Sequence, residues 1–192
     1  MNGREASDGM RNDEQSSNGE WIGAAMERFK GPLLRYAVRI TGDFEGAQDV
    51  VQDTFLRLCG EDHARLDGHL AEWLFTVCRR RALDVQRKER RMESIDDLEL
   101  AEPVSRELSP ATLAEQRDST SHVQRLLATL PVNQREVVCL KFQNGLSYQE
   151  ISRITNLSLG NVGFLIHTAL ATIRQRLHAE EKLAANSHRR NL

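Results

Sequence analysis

The chain has 192 residues, which bounds it to one domain or two small ones. Hydrophobic residues at 40% and charged residues at 28% are the balance of globular material, which excludes a wholly disordered chain. A net charge of −2 excludes a uniformly basic nucleic-acid binder, and aromatics at 5% with only sixteen Gly and Pro argue against a many-stranded sandwich and for helix.

The elements follow in chain order. Residues 1–19 are rich in Gly, Asn, Ser, Asp and Glu without an apolar period, and predict a flexible tail. From Trp21 to Ile40, the residues Ile22, Met26, Phe29, Leu33, Leu34, Ala37 and Ile40 recur at helical steps. Pro32 within that run predicts a kink or a break near Gly31. After the turn Thr41-Gly42-Asp43 a second helix spans about 44–58, with Ala47, Val50, Val51, Phe55 and Leu58 inward. Residues 59–68 read as a loop. A third helix runs from about His69 to Arg91, with Leu70, Leu74, Val77, Cys78 and Val85 as its apolar stripe. Residues 93–121 lose the period and hold Pro103, Pro110 and several Ser, which predicts a linker. Helices are then expected from His122 to Leu130, 133–142, 147–155 and 159–178, with a frayed C-terminal tail at 181–192. The fold class is therefore all-α: two small helical domains joined by a flexible acidic linker.

Charge is distributed in blocks. Residues 72–91 carry seven basic and three acidic side chains, net +4, and residues 122–192 carry nine and four, net +5. Between them, residues 92–121 carry two and eight, net −6. Two basic blocks on a tether predict two contacts with a polyanion.

The sharpest local pattern is Gly145 to Val162. Ser147 followed by Glu150 is a capping box, Asn156-Leu157-Ser158 makes a short turn, and Ser158 caps the next helix. Two short helices joined by such a turn are a helix-turn-helix, whose second helix enters the major groove of DNA. An αα-corner that binds nothing has the same outline. The exposed face of the second helix is expected to show Asn161, Phe164, His167, Thr168 and Thr172, with Val162, Leu165, Ile166, Ala169 and Ile173 inward. Asn reads adenine and Phe meets thymine methyls, while Arg153, Arg174 and Arg176 suit phosphates.

On the third helix, Trp73, Arg80, Asp84, Arg87 and Arg91 line one flank. An aromatic beside an arginine ladder suits a single strand, whose bases stack while cations follow its backbone. A half-core Trp with a solvated basic face gives the same spacing. Arg81 falls inside the apolar stripe, where it either snorkels or marks a change of helix direction. On the second helix, Asp49, Gln52 and Asp53 share a face, which suits docking of a basic partner or simply solvent.

Cys59, Cys78 and Cys139 are odd in number, lack metal-ligand spacing and sit among apolar residues, which predicts buried free thiols in a reducing cytoplasm. The polar N-terminus lacks an apolar signal core and no run reaches about 18 apolar residues, so neither export nor a membrane span is expected. No paired carboxylates near a His, phosphate-cradling Gly loop or metal cluster is visible, so no catalysis, no metal and no cofactor are expected.

These features, in this order, resemble the sigma-70 family of RNA polymerase sigma factors, of the extracytoplasmic-function (ECF, group four) type. Residues 41–58 resemble region 2.1–2.2, with the core D-x-V-Q-[DE]-x-F at Asp49 to Phe55. Residues 73–91, beginning Trp-Leu-Phe-Thr-Val-Cys-Arg-Arg-Arg, resemble regions 2.3–2.4, and residues 130–177 resemble region 4. The resemblance implies a first domain at 20–92 and a second at 122–180, with a tether too short for the middle domain of larger sigma factors. It implies a promoter-specificity subunit with core RNA polymerase and promoter DNA as partners, and an anti-sigma factor as a further one. Asp49, Gln52 and Asp53 are then the residues that grip polymerase. Trp73, Arg79, Arg80, Asp84, Arg87 and Lys88 face the −10 element, and Arg153, Asn161, Phe164, His167 and Thr168 the −35 element. The chain departs from the family pattern at Arg80, where Asn is usual, and at Gly163, Leu165 and Thr168, where Lys or Arg is usual. A repressor or activator that binds duplex without polymerase is the competing reading. It has no use for the face of Asp49, Gln52 and Asp53.

Overall fold

A computed structural model describes residues 5–96 and 119–190, with side chains at 18–91, 122–180 and 182. Among the described residues there are eight helices and no strand. The chain divides into two compact units, Met1–Leu108 and Ser109–Leu192.

The first unit holds α1 (Glu5–Thr41), α2 (Phe44–Leu58), the single turn α3 (His63–Leu66) and α4 (Leu70–Asp96). Helices α1, α2 and α4 each pack against the other two. Their apolar stripes meet in a core of Leu33, Tyr36, Val50, Leu58, Leu74 and Phe75, all fully buried. Tyr36 and Phe75 meet edge to face at 5.3 Å, an arrangement the ring quadrupoles favour. The Gln86 amide of α4 donates to the Ile40 carbonyl at 2.7 Å and so satisfies one of the last carbonyls of α1. At the start of α2, Asp43 accepts from the Gly46 N–H at 2.6 Å, an N-cap that fixes where the helix begins.

Several expectations need correction. The helix does not start at Trp21: α1 runs back to Glu5 through part of the expected flexible tail. That stretch contains no Pro to stop the helix, although Ser, Asn, Asp and Gly outnumber its good helix formers. Pro32 does not break the helix. Burial of Phe29 before it and of Leu33, Tyr36 and Ala37 after it holds both sides on one core. The expected loop at 59–68 contains α3, capped by Asp62, with its His63 ring 4.7 Å from Trp21. In α4 the fully buried residues are Leu74, Phe75, Cys78 and Ala82, while Leu70, Val77 and Val85 are half-buried. Met26 and Cys59, expected inside, are exposed. The linker expected at 93–121 is helical at both margins, and residues 97–118 lie outside the described residues.

The second unit holds α5 (Ser119–Ala128), α6 (Val132–Phe142), α7 (Tyr148–Thr155) and α8 (Leu159–Arg190). Helices α5, α6 and α7 pack on α8, around Leu130, Val137, Leu140, Ile151, Val162 and Ala169. Helix α8 runs past the expected end at 178, through the expected tail. The Arg135 guanidinium donates to the Ala128 and Leu130 carbonyls at 2.7 and 3.0 Å. It serves carbonyls at the end of α5, where Pro131 offers no N–H. No single described helix is long and apolar enough to cross a membrane.

Candidate nucleic-acid interface

The acid and amide face lies on α2. Ala47, Val50, Val51, Thr54, Phe55 and Leu58 turn inward, which leaves Asp49, Gln52 and Leu56 outward. Asp53 differs from its neighbours. It stands at the edge of the face, and Oδ2 accepts from the Arg81 Nε of α4 at 2.6 Å. This answers the question Arg81 poses in the sequence. Its position in the apolar stripe brings it against α2, where a carboxylate meets it. Leu56 is 61% exposed and was not singled out by the residue pattern. Its spacing, four residues after Gln52 and seven after Asp49, is the signal that places it on this face.

Asp49 and Arg81 also line a shallow cleft between α2 and α4, with Gly46, Val50, Asp84, Val85, Lys88 and Glu89. Asp49, expected at one partner, and Asp84 and Lys88, expected at another, thus line one cleft. Along α4, Trp73 and Arg79 are half-buried, and Arg80, Asp84, Arg87 and Lys88 are exposed. Asp84 lies 3.5 Å from Arg87, one turn on, and offsets part of its charge. Cys78, beneath this ladder, has its thiol 3.9 Å from the Leu33 carbonyl, and burial pushes its pKa up from 9.0 to about 12.

In the second unit, the capping box is complete. The Glu150 N–H reaches the Ser147 hydroxyl at 3.2 Å, and the Ser147 N–H reaches the Glu150 carboxylate at 2.7 Å. Helix α7 ends at Asn156, whose φ of +58 is left-handed. Asn tolerates that region better than other non-Gly residues. The Ser152 hydroxyl donates to the Leu157 carbonyl at 2.5 Å and closes the turn. Ser158 then caps α8 by accepting from the Asn161 N–H at 3.2 Å. Tyr148 packs beside Gly163, where an added Cβ would sit 3.7 Å from its ring, so the two helices approach closely. Asn161, Phe164 and His167 are exposed on α8, Thr168 is half-buried beside them, and Arg153 is exposed on α7. Among the described residues no group of three or more His, Cys, Asp or Glu is placed to hold a metal ion.

One helical unit with an acid face beside a basic ladder, and a second built on a helix-turn-helix, define a class of DNA-binding proteins assembled from two small helical domains. Known proteins make this specific. Residues 25–92 match Sigma-70 region 2, and residues 122–178 match Sigma-70, region 4. The chain is 30% identical over 149 residues to the ECF RNA polymerase sigma factor SigL of Mycobacterium tuberculosis, covering 76% of this chain and 82% of that protein. It is 29% identical over 154 residues to the ECF RNA polymerase sigma factor SigM of Bacillus subtilis, covering 80% and 90%. CnrH, solved in complex with the cytosolic domain of CnrY, aligns with a TM-score of 0.54 at 26% identity, over 85% of this chain and 92% of that one. The sigma factor RpoE, solved with the anti-sigma factor NepR from Bartonella quintana, has a TM-score of 0.60 at 23% identity, over 81% and 96%, a likeness of fold. The chain belongs to the ECF sigma factors of the sigma-70 family. It is a promoter-specificity subunit of RNA polymerase, which binds core enzyme and promoter DNA and initiates transcription.

Proposed function

We propose that the division of labour in this subunit follows the surfaces just described. Asp49, Gln52 and Leu56 dock on core polymerase, with Asp53 at the margin of the contact. Trp73, Arg79, Arg80, Asp84, Arg87 and Lys88 hold the opened strand of the −10 element. Stacking on one ring and phosphate contacts offset the cost of strand opening, a few kcal/mol per flipped base. Arg153, Asn161, Phe164, His167 and Thr168 meet the duplex of the −35 element. Residues 93–121 tether the two domains, so that the second contact forms at raised effective concentration. The subunit makes and breaks no bond; polymerase supplies the chemistry, in the cytoplasm where both reside. CnrH and RpoE were each solved with a protein partner, and in RpoE's case it is an anti-sigma factor. A partner of that kind is proposed here to cover the exposed faces of α2 and α4.

The observation that carries this reading is the shared cleft. Asp49 of α2 lines it together with Arg81, Asp84 and Lys88 of α4, which supports placing the proposed protein-docking surface next to the proposed strand-holding one. The test is co-purification with core polymerase. Asp49→Lys abolishes capture and leaves duplex binding by the second unit unchanged. The single substitution is preferable to a pair with Asp53→Lys, which also destroys the direct 2.6 Å ion pair between Asp53 and Arg81. Undiminished capture of Asp49→Lys overturns the docking assignment.

A further inference from the structure

From Leu159 to Ile173, about four turns of α8, there is no Asp, Glu, Lys or Arg. Val162, Ile166 and Ala169 are buried, and the outward side is Leu159, Gly160, Asn161, Phe164, His167 and Leu170, with Thr168 and Ala171 half-buried beside them. Phe164 is 65% exposed, at the centre of that face. The cations stand around this surface and not on it: Arg153 on α7, and Arg174 and Arg176 beyond its far end.

Each side chain on this face has a defined capacity at a base edge. Arg and Lys are the commonest guanine readers, through bidentate bonds to O6 and N7, and the face has neither. An Asn amide pairs bidentately with adenine N6 and N7. An exposed phenyl ring and the methyl groups of Thr168 and Ala171 have no polar edge to match, and their best partner in the major groove is the thymine C5-methyl. A His167 ring nitrogen makes one hydrogen bond to a base edge, which lacks the selectivity of a bidentate pair. The flanking arginines supply phosphate contacts, which set register without choosing sequence.

We infer that this helix selects an A·T-rich upstream element, read by Asn161 at adenine and by Phe164 at thymine methyls, without guanine contacts from Arg or Lys. The inference rests on the assignment of α8 to the −35 duplex, and deepens it. A protein surface is the other kind of partner an uncharged helix face fits.

The test is selection of duplex DNA with a randomised upstream segment by the full chain bound to core polymerase. The retained pool is enriched in A·T pairs. Replacing thymine by deoxyuridine in the selected duplex removes only the methyl group. It weakens capture by the wild-type chain about fourfold per contacted methyl, the equivalent of one buried methylene, and weakens capture by Phe164→Ala by at least one such factor less. Because Phe164 is exposed, its truncation leaves no cavity, and the variant folds as the parent does. Enrichment of G·C pairs overturns the inference and leaves the −35 assignment standing, as does equal sensitivity of both proteins to deoxyuridine. A pool without any preference overturns the assignment of α8 and the inference with it, and points to a protein on this face.

Discussion

Arg81 holds Asp53 by a 2.6 Å contact from Nε to Oδ2, and this pair ties α2, with its acid face, to α4, with its basic ladder. Both side chains remain about two-fifths exposed, so solvent screens the pair. Its value lies less in raw stability than in geometry. A partner that takes the Asp53 carboxylate either shares it with Arg81 or displaces it, and in both cases it acts on α4.

A double-mutant cycle measures the pair. Asp53→Asn and Arg81→Gln each lower unfolding free energy by about 0.5–1 kcal/mol, as partly exposed ion pairs do, with a coupling of a few tenths. Urea denaturation of the four proteins reads it. Strictly additive losses show that the two side chains do not interact in solution.

Leu56 is an exposed apolar residue on the α2 face. Its side chain offers a docking partner apolar area to bury. Leu56→Ala leaves thermal stability within about 0.5 kcal/mol of wild type, since no core contact is lost. It weakens binding to core polymerase roughly tenfold, the loss of a contact worth about 1.4 kcal/mol. Fluorescence titration against core enzyme separates these two numbers, and unchanged affinity removes Leu56 from the contact.

The cysteines differ in reactivity. Cys59 is exposed, and Cys78 and Cys139 are buried. A thiol reagent at pH 8 labels Cys59 alone in the folded chain, and all three after denaturation; peptide mass mapping reads the sites. Cys78 also gives alkaline sensitivity. Its folded pKa of about 12 lies above the 9.0 of the free thiol, so the unfolded chain loses its proton first as pH rises. The Cys78 contribution is complete below pH 9.0 and declines toward pH 12. The slope reaches at most about 1.4 kcal/mol per pH unit. Cys78→Ala flattens that part of the curve, and an unchanged slope refutes this origin.

Helix α7 depends on a local device at each end, the capping box at Ser147 and the left-handed Asn156 that opens the turn to α8. Ser147→Ala removes the capping box and costs about 1 kcal/mol. Asn156 holds a φ of +58, so Asn156→Gly is neutral or mildly stabilising and Asn156→Val costs about 1–2 kcal/mol. Chemical denaturation of the set, ranked in this order, is the check. A Val variant as stable as Gly excludes the left-handed conformation at 156.

The sequence by itself determined the local and periodic features. Helical spacing found the apolar inward residues of α2, all of them buried, but not Thr54, and the capping box and turn of the second unit follow from short-range hydrogen bonds that a few neighbouring residues specify. The motifs at 41–58, 73–91 and 130–177 carried the family resemblance in the same way, and the charge blocks fit it. What the tertiary structure decided is what lies between elements. Spacing on α2 makes Asp53 a companion of Asp49 and Gln52, and only the approach of α4 pairs it with Arg81. A periodicity also cannot tell a stripe that meets a neighbour from one that ends short of it. Met26 and Cys59 keep helical phase and are exposed, whereas Ala82, with the smallest side chain of the set, is fully buried where α4 meets its partners. Burial depends on which surface arrives opposite a residue, and that is a property of three helices together.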